Sequence, residues 1–378
     1  MNSSTWKIRI VAVAIIAILA SCTTDRTRRG YMRTVAQTLE EPPRPVIVVP
    51  GFGVTRLLDP VTNRYVWGTG HATFQTRFAD DLDLPVAADG TIGHDRLIPR
   101  GYVGSRGPIN IGWQLEEGLR RFGRYVPDRT VYPFYYDWRL SAPENAMRLG
   151  ELADRIRGNG KVDIVTHSAG AIVALTYIKL QRGGDAVDHL VLIAPTQLGV
   201  IDAFRVLVRP ERFLRRTFTP DMVETWPSIP ELLPEDGRFL VDESGRTTDF
   251  DAWRPQSWRS IIHSTPAFER SIVDARRFRD ELRAAAMPPN VRVSVIAADC
   301  VATARRALMR SDGSFVFYPG ELRGSERSLE RELFEAGDGT VPISSARAGA
   351  DALLFCDGHQ GIATDPDVVH TVIRTLRE

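Results

Sequence analysis

The stretch Val162-Asp-Ile-Val-Thr-His-Ser-Ala-Gly170 decides the fold of this chain. Four of its first five residues are β-branched, which is typical of a buried strand, and the apolar stretch 169–180 predicts a helix. Ser168 therefore lies on a sharp turn between a strand and a helix. Such a turn strains the backbone of the serine and needs small neighbours two positions away on either side. Gly170 meets that need, whereas Thr166 is bulkier than the glycine usual at its position.

Strand and helix patterns alternate on both sides of this turn. Further strands are predicted at 45–49, 131–136, 190–194, 291–297 and 353–356, and further helices at 144–157 and from about residue 366. This alternation is typical of an α/β fold with a mostly parallel central sheet and helices on both faces. We therefore predict one α/β domain over residues 44–378.

The alternation is lost between about residues 199 and 290, where aromatic residues accumulate beside arginines. Apolar residues between 200 and 208 fall on one face of a helix that Pro210 would end. The composition predicts an inserted cap or lid. Its apolar stripe could pack on the core, line an acyl-binding cleft, or do both.

Length and composition are those of an ordinary globular protein. Of the 378 residues, 43% are hydrophobic and 25% are charged, which excludes a disordered or multi-span membrane protein. The 48 basic and 47 acidic residues create no bulk positive field, so we do not expect nucleic acid as a partner. Three cysteines without CxxC spacing argue against a zinc site, and we expect neither a metal nor an organic cofactor.

The N-terminus has the pattern of an export signal. Two basic residues precede an unbroken apolar run of eleven residues, Ile10 to Ala20, which is too short to span a bilayer. The next residues lead to Cys22 and match a bacterial lipoprotein signal; the alternative is an ordinary secretory signal with an incidental cysteine. We predict a signal peptide at 1–21, lipidation of Cys22, a tether at 22–43, and a protein anchored to a membrane of the cell envelope.

A serine hydroxyl is a poor nucleophile until a histidine accepts its proton. In this topology the base follows the serine in the chain, as do His189, His263, His359 and His370. His359 alone lies in a loop just after a late predicted strand, and it is therefore the predicted base. The structural alternatives are a serine that caps a helix and a histidine in a solvated loop.

The third member of such a triad is a carboxylate that orients the histidine. Asp338 lies on a glycine-flanked turn and Asp299 ends a predicted strand, so both are candidates, with the turn chemistry favouring Asp338. The oxyanion hole is predicted from two backbone N–H groups. One belongs to Ala169, directly after the serine, and the other to Phe52, in the loop after the first strand.

Two further pairs have structural or functional interpretations. Asp137 and Arg139 could line the cleft near the serine, or form an ion pair that closes the end of a strand. Cys300 and Cys356 end two predicted strands that we expect to be neighbours, and this makes a disulfide possible in an exported protein.

Five blocks of the sequence together resemble one family. In chain order they are Pro45-Val-Ile-Val-Val-Pro-Gly51, Tyr136-Asp-Trp-Arg139, Thr166-His-Ser-Ala-Gly170, Trp226-Pro-Ser-Ile-Pro-Glu-Leu-Leu-Pro234 and Gly337-Asp-Gly-Thr-Val-Pro342. The set resembles the lecithin:cholesterol acyltransferase and phospholipid:diacylglycerol acyltransferase family, which has the α/β-hydrolase fold and also contains lysosomal phospholipases. The resemblance covers nearly the whole chain after the signal peptide.

The resemblance implies Ser168, Asp338 and His359 as the triad, and Phe52 and Ala169 as the oxyanion donors. It also implies an acyl-serine intermediate, formed from a phospholipid ester and resolved by a sterol, a diacylglycerol or water. We therefore expect a serine hydrolase or O-acyltransferase of lipid esters. The alternatives are a non-catalytic lipid-binding lipoprotein, suggested by the threonine at the turn, and an esterase of small esters.

Overall fold

The computed structural model describes residues 40, 42, 44–68, 82–104, 113–213 and 216–378. The predicted signal peptide, Cys22 and nearly all of the predicted tether lie outside these residues. No helix within the described ranges is both long enough and apolar enough to cross a bilayer.

Strands and helices alternate along most of the described chain. The strands are β1 (Val46–Val49), β2 (Thr55–Asp59), β3 (Arg64–Trp67), β4 (Ile98–Tyr102), β5 (Val131–Pro133), β6 (Val162–His167), β7 (Val187–Ile193), β8 (Glu211–Phe213), β9 (Arg216–Phe218), β10 (Leu240–Val241), β11 (Arg292–Ala298), β12 (Val301–Ala304), β13 (Ala307–Met309), β14 (Phe315–Val316), β15 (Phe334–Gly337) and β16 (Leu353–Phe355). The α-helices are α1 (Trp113–Gly123), α2 (Ala142–Arg157), α3 (Gly170–Leu180), α4 (Ile201–Val208), α5 (Pro220–Val223), α6 (Ser228–Glu231), α7 (Pro255–Trp258), α8 (Pro266–Ala284), α9 (Glu330–Leu333), α10 (Ile343–Arg347) and α11 (Pro366–Thr375). Short 3-10 helices occupy Gly183–Asp185, Pro319–Glu321 and Gly324–Leu329.

A parallel sheet forms the centre of the molecule. Its strand order among the described residues is β16–β11–β7–β6–β1–β5, and each neighbouring pair is parallel. Along β1, Ile47 and Val49 belong to one hydrophobic core with residues of α2 and α3. Val46 and Val48 belong to a second core with residues of α1 and α11. Because both faces are covered, β1 is a continuous apolar run. The predicted α/β-hydrolase fold, with helices on both faces of a parallel sheet, is confirmed.

Several boundaries differ from those predicted. The strand predicted at 131–136 ends at Pro133, and the chain then leaves the sheet. Tyr136 donates a side-chain hydrogen bond to the carbonyl of Pro50 at 2.9 Å, and Trp138 donates one to the carbonyl of Thr55 at 3.0 Å. These bonds hold the segment against the loop after β1. Helix α2 begins at Ala142, two residues earlier than predicted, because Ser141 caps it by accepting from the backbone N–H of Glu144.

The segment predicted as a cap lies between two neighbouring strands of the sheet. β7 pairs directly with β11, and the chain between them contains β8–β10 and α4–α8. Its aromatic side chains at Phe204, Trp226, Trp258 and Phe268 are each 0% exposed. These rings therefore pack in the interior, and the aromatic content of the segment reflects packing. The boundaries of a cap at about 199–290 remain a prediction.

Candidate active site

Ser168 follows β6 directly, on the turn that leads into α3. Its φ is 56°, a left-handed conformation that is strained for a residue with a side chain. Two glycines leave room for the turn. A Cβ on Gly51 would lie 2.9 Å from the Cβ of Ser168, and a Cβ on Gly170 would lie 2.5 Å from the carbonyl oxygen of Pro50. Side chains at either glycine would push the loop after β1 away from the serine.

Thr166 is accommodated because it lies within β6 rather than on the turn. It pairs with Val49 on one side and Leu192 on the other, and it is 0% exposed. A central strand favours β-branched side chains. The threonine is therefore compatible with the strained turn two residues later.

His359 contacts Ser168 and Asp338 at the same time. Its Nε2 lies 2.9 Å from the Ser168 Oγ, and its Nδ1 lies 2.7 Å from a carboxylate oxygen of Asp338. The carboxylate can only accept, so Nδ1 carries the proton and Nε2 is free to accept from the serine hydroxyl. The side chain of His359 is 11% exposed and that of Asp338 is 1% exposed. The arrangement is that of a serine, its base and an orienting carboxylate.

Asp338 is held as an anion by its surroundings. Burial acts to raise its pKa, but the neighbouring His359 and the hydrogen bonds to its carboxylate outweigh burial and hold the pKa below the ordinary value. The second carboxylate oxygen accepts the backbone N–H groups of Thr340 at 2.9 Å and Val341 at 2.6 Å. The turn chemistry that favoured Asp338 in the sequence thus fixes the carboxylate in its tertiary position.

The competing site residues lie elsewhere. Asp299 is exposed after β11, and its backbone N–H donates to the carbonyl of Phe355. His189 is buried against the hydroxyl of Ser294 at 3.0 Å, while His263 and His370 are exposed. Among these residues, Asp338 and His359 are the ones that the fold brings to the serine.

The two predicted oxyanion donors flank Ser168. Ala169 is the next residue along the chain, and Phe52 follows Gly51, whose backbone lies against the serine. Neither backbone N–H group donates a hydrogen bond to a backbone carbonyl of the described residues. The Phe52 ring packs edge-on against Trp138 with ring centres 4.6 Å apart, and lies 6.0 Å from Trp226. The loop is thereby anchored to an aromatic cluster while its N–H remains available.

Cys300 and Cys356 are joined by a disulfide with a Cα–Cα distance of 5.2 Å and a sequence separation of 56. The bond connects the ends of β11 and β16, which are neighbours in the sheet. Val301, next to Cys300, pairs with Gly337 beside Asp338, and Cys356 lies shortly before His359. The disulfide therefore restrains the two chain segments that carry Asp338 and His359.

A family model described as lecithin:cholesterol acyltransferase matches residues 113–281. The match spans 169 of the 378 residues, and over this range the chain is similar to the family. The matched range includes Ser168 and Ala169, whereas Phe52, Asp338 and His359 lie outside it.

Individual relatives are more distant. An uncharacterized protein of Saccharomyces cerevisiae, YJR098C, is 26% identical over 250 residues, which are 63% of this chain and 36% of that protein. The chain thus matches about a third of that relative's length. A chain of the Tle4–Tli4 complex aligns with a TM-score of 0.57 and 16% identity, over 89% of this chain and 99% of that one; this likeness concerns the fold alone. The mature Bacillus licheniformis lipase BlEst2 covers 90% of this chain and 95% of its own, with 11% identity and a TM-score of 0.42, too low to support an inference.

Asp137 and Arg139 form a structural ion pair rather than a wall of the cleft. Arg139 is 0% exposed, and all five of its guanidinium N–H groups are engaged. They bond the carboxylate of Asp137 at 2.7 and 3.0 Å, that of Asp95 at 2.6 and 3.0 Å, and the carbonyl of Leu82 at 3.0 Å. A cation with no free donor has nothing to offer a substrate. The residues instead tie the chain after β5 to the segment at 82–95.

Sequence reasoning missed two buried ionisable groups. His167, next to the serine, is 8% exposed and bonds the loop of His359. Glu231, within the Trp226–Pro234 block, accepts the backbone N–H of Ala142 at 2.7 Å, and burial raises its pKa to about 8. Glu231 also lines a cavity of about 730 Å³ between α8 and the helices α2 and α3, which none of the five predicted site residues lines. A histidine before the serine was visible in the sequence, but its partner was not.

Proposed function

We propose that this protein is a serine-dependent hydrolase or O-acyltransferase of lipid esters, with Ser168, His359 and Asp338 as its catalytic triad. One observation carries the proposal: the His359 imidazole bonds the Ser168 hydroxyl on one side, at 2.9 Å, and the Asp338 carboxylate on the other, at 2.7 Å. The serine lies on the strained turn expected of a nucleophile.

Acylation follows from this geometry. The Ser168 oxygen attacks the ester carbonyl while His359 Nε2 takes the hydroxyl proton, and the resulting imidazolium is stabilised by the Asp338 anion. The negative charge formed on the carbonyl oxygen is stabilised by the N–H groups of Phe52 and Ala169. When the C–O bond breaks, His359 returns the proton to the leaving alcohol, and the acyl group remains on the serine.

Deacylation repeats the same proton transfers. His359 takes a proton from the acceptor, which is water or a lipid alcohol, as its oxygen attacks the acyl-serine carbonyl. The proton then passes to Ser168 as the acyl group leaves. Water as acceptor gives hydrolysis, and a lipid alcohol gives transfer. No proton is gained or lost over the cycle.

The lipid substrate class is supported by the similarity of residues 113–281 to the lecithin:cholesterol acyltransferase family. We further propose that residues 199–290 act as the cap over the acyl-ester cleft. Trp226, within this segment, lies 6.0 Å from the Phe52 ring, measured between ring centres. A substrate bound beside Phe52 would therefore be close to the cap. The contact between Trp226 and the Phe52 ring would also link the position of the cap to that of the oxyanion loop.

Labelling with a fluorophosphonate tests the serine mechanism. We expect the probe to add covalently to Ser168 in the wild-type protein, as detected by mass spectrometry of the tryptic peptide. Ser168→Ala should abolish the adduct, while Ser344→Ala, which changes an exposed serine near the site, should retain it. An unlabelled wild-type protein, or equal labelling of Ser168→Ala, would support a non-catalytic lipid-binding protein.

The fate of the acyl chain separates the remaining activities. The purified protein is incubated with vesicles of acyl-labelled phospholipid, with and without a sterol or a diacylglycerol, and the products are separated by chromatography. A labelled sterol ester or triacylglycerol would identify a transferase, and labelled fatty acid alone a phospholipase. If only short-chain p-nitrophenyl esters are cleaved, the protein is an esterase of small esters.

We also propose that the protein is exported and anchored to a membrane through lipidated Cys22. The signal at 1–21 supports this, and so does the Cys300–Cys356 disulfide, since disulfides persist in oxidising compartments. Metabolic labelling with a fatty-acid analogue should mark the wild-type protein but not Cys22→Ala. Equal incorporation into both proteins would contradict the proposal.

A further inference from the structure

His167 occupies the last position of β6, directly before Ser168, and its side chain contacts the loop of His359. Its Nε2 lies 2.9 Å from the backbone carbonyl oxygen of His359, across a separation of 192 positions in the chain. A carbonyl can only accept, so Nε2 must carry the proton. The residue before the nucleophile thus hydrogen-bonds the backbone of the residue that serves as the base.

This bond completes a three-point attachment of His359. The backbone N–H of His359 donates to the carbonyl of Asp338 at 2.9 Å, and its imidazole Nδ1 donates to the Asp338 carboxylate at 2.7 Å. Both of these contacts tie His359 to Asp338. Among the hydrogen bonds of the described residues, the bond from His167 ties the backbone of His359 to the nucleophile strand.

The imidazole of His167 stays neutral beside the base. Burial, together with the neighbouring His359, lowers its pKa to about 3. The two rings are tilted by 33° to each other, with centres 4.8 Å apart. A charge on His167 would oppose the imidazolium that His359 becomes when it takes the serine proton. A neutral donor provides the hydrogen bond without that repulsion.

We propose that His167 is a positioning residue for the proposed acyl transfer, holding the backbone of His359 at the distance at which Nε2 reaches the Ser168 hydroxyl. The inference rests on the proposed function of the triad. Loss of the bond should displace the base while leaving Ser168, the oxyanion donors and the lipid cleft in place. Small displacements of a catalytic group reduce the rate of the chemical step by as much as about 100-fold. The effect should therefore appear in kcat and not in KM.

Two amide variants test the hydrogen bond, because they differ in how far the side-chain amide nitrogen extends towards the His359 carbonyl. In His167→Gln the side-chain amide nitrogen takes the position of Nε2 and can still donate to the His359 carbonyl. In His167→Asn the amide nitrogen reaches only the position of Nδ1, and the bond is lost. Both variants are neutral and polar, and both remove the imidazole ring. Differences between them therefore report the bond.

Hydrolysis of a p-nitrophenyl ester, the rate of fluorophosphonate labelling and the unfolding midpoint are measured for both variants and the wild type. We expect kcat and the labelling rate to fall about 30- to 100-fold in His167→Asn and less than about 5-fold in His167→Gln, with KM within 2-fold throughout. The unfolding midpoint of His167→Asn should lie at or somewhat below that of His167→Gln, since both lose the same ring packing and only His167→Asn also loses the hydrogen bond.

Equal rates in the two variants would overturn the inference, whether both are active or both are impaired. A loss of rate in His167→Asn that disappears when the rate is expressed per folded molecule would also overturn it, because a purely structural role would explain that result. Fluorophosphonate labelling of the wild-type protein distinguishes failure of this inference from failure of the proposed function. If wild-type Ser168 is not labelled, the proposed triad chemistry fails; if it is labelled and the two variants do not differ, only the role of His167 fails.

Discussion

Two buried carboxylates pair with a basic side chain near the strand ends of this molecule, and they differ in what their partners can still do. Arg139 uses all five of its N–H groups on Asp137, Asp95 and a backbone carbonyl. His359 uses Nδ1 on Asp338 and presents Nε2 to a hydroxyl on a strained turn. A fully bonded cation stabilises the fold, whereas a base with one nitrogen facing a hydroxyl can move a proton.

The two groups also differ in how they are assembled. Asp137 and Arg139 are two residues apart, and the backbone N–H of Arg139 itself donates to the Asp137 carboxylate at 3.0 Å. Asp338 and His359 arrive on separate segments and meet a serine 191 positions away from His359. The local pair is built by one turn, while the proposed triad brings together residues from remote segments of the chain. Four substitutions or treatments test this difference between the two groups.

The largest effect is expected from Asp338→Asn. Because one carboxylate oxygen accepts the N–H groups of Thr340 and Val341, the asparagine oxygen should take that position and its NH₂ should face His359 Nδ1. The imidazole proton would then move to Nε2, and a protonated Nε2 cannot accept a hydrogen bond from the Ser168 hydroxyl. Ester hydrolysis should fall by about 10³- to 10⁴-fold. Asp299→Asn is the matched control, and a similar loss in that variant would contradict the assignment.

Arg139→Met should have the opposite profile. It leaves the Asp137 and Asp95 carboxylates without their shared cation, and breaking a buried pair in this way costs about 3–5 kcal/mol of stability. Denaturant unfolding should report that loss. The activity per folded molecule should stay near that of the wild type, as titrated with a fluorophosphonate. A loss of activity without a loss of stability would place Arg139 in the chemistry instead.

Removal of the disulfide should affect the triad region more than the Arg139 cluster. The bond closes a segment with a separation of 56, and the combined Cys300→Ser and Cys356→Ser variant should lose about 2–4 kcal/mol of unfolding free energy. kcat should also decrease, because the same segment carries Asp338 and leads to His359. Reductant should weaken the wild type in the same way and leave the double variant unchanged. A reductant effect on the double variant would mean that another group is responsible.

Glu231 is a third buried carboxyl. Its described hydrogen-bond partner is the backbone N–H of Ala142. Burial raises its pKa from 4.5 to about 8, so the folded protein keeps a proton that the unfolded chain loses above pH 4.5. Its contribution to stability is therefore present at low pH and is lost as the pH rises towards 8, by at most about 1.4 kcal/mol per pH unit.

Glu231→Gln should make the pH dependence of stability shallower, because glutamine keeps an acceptor for Ala142 and never ionises. Chemical unfolding at several pH values between 5 and 8 measures it. Glu281→Gln, an exposed position on α8, should leave the wild-type slope intact. A steeper dependence in Glu231→Gln than in the wild type would mean that the sign is wrong.

The sequence predicted the central sheet better than the small sheets around it. β1 and β6 are buried throughout, and burial on both faces produces the continuous apolar runs that identify them. The antiparallel strand β4 contains Pro99 and Gly101 and alternates between exposed and partly exposed residues before Tyr102. A short, partly exposed strand of that composition has no periodic signal, so its existence depends on contacts with β2.

The sequence predicted those residues of the candidate site that directly follow a strand of the sheet. Ser168 and His359 each follow a strand of the sheet, and that placement can be read from local patterns. The choice between Asp338 and Asp299 could be read only in part, because the glycine-flanked turn favours Asp338 but both aspartates follow strands. It depends on the pairing of β12 with β15, which places Asp338 beneath His359 while Asp299 stays exposed.

The local order of residues was enough to predict the parallel sheet and the strand-to-helix turn at Ser168, because buried strands and the small residues of a tight turn are set by neighbouring positions. The folded arrangement was needed to show that the Asp338 carboxylate meets His359, that every donor of Arg139 is occupied, and that His167 bonds the backbone of a residue 192 positions away. Each of these depends on distances between atoms of remote segments. Such distances are set by packing of the whole sheet and leave no pattern in the local order of residues.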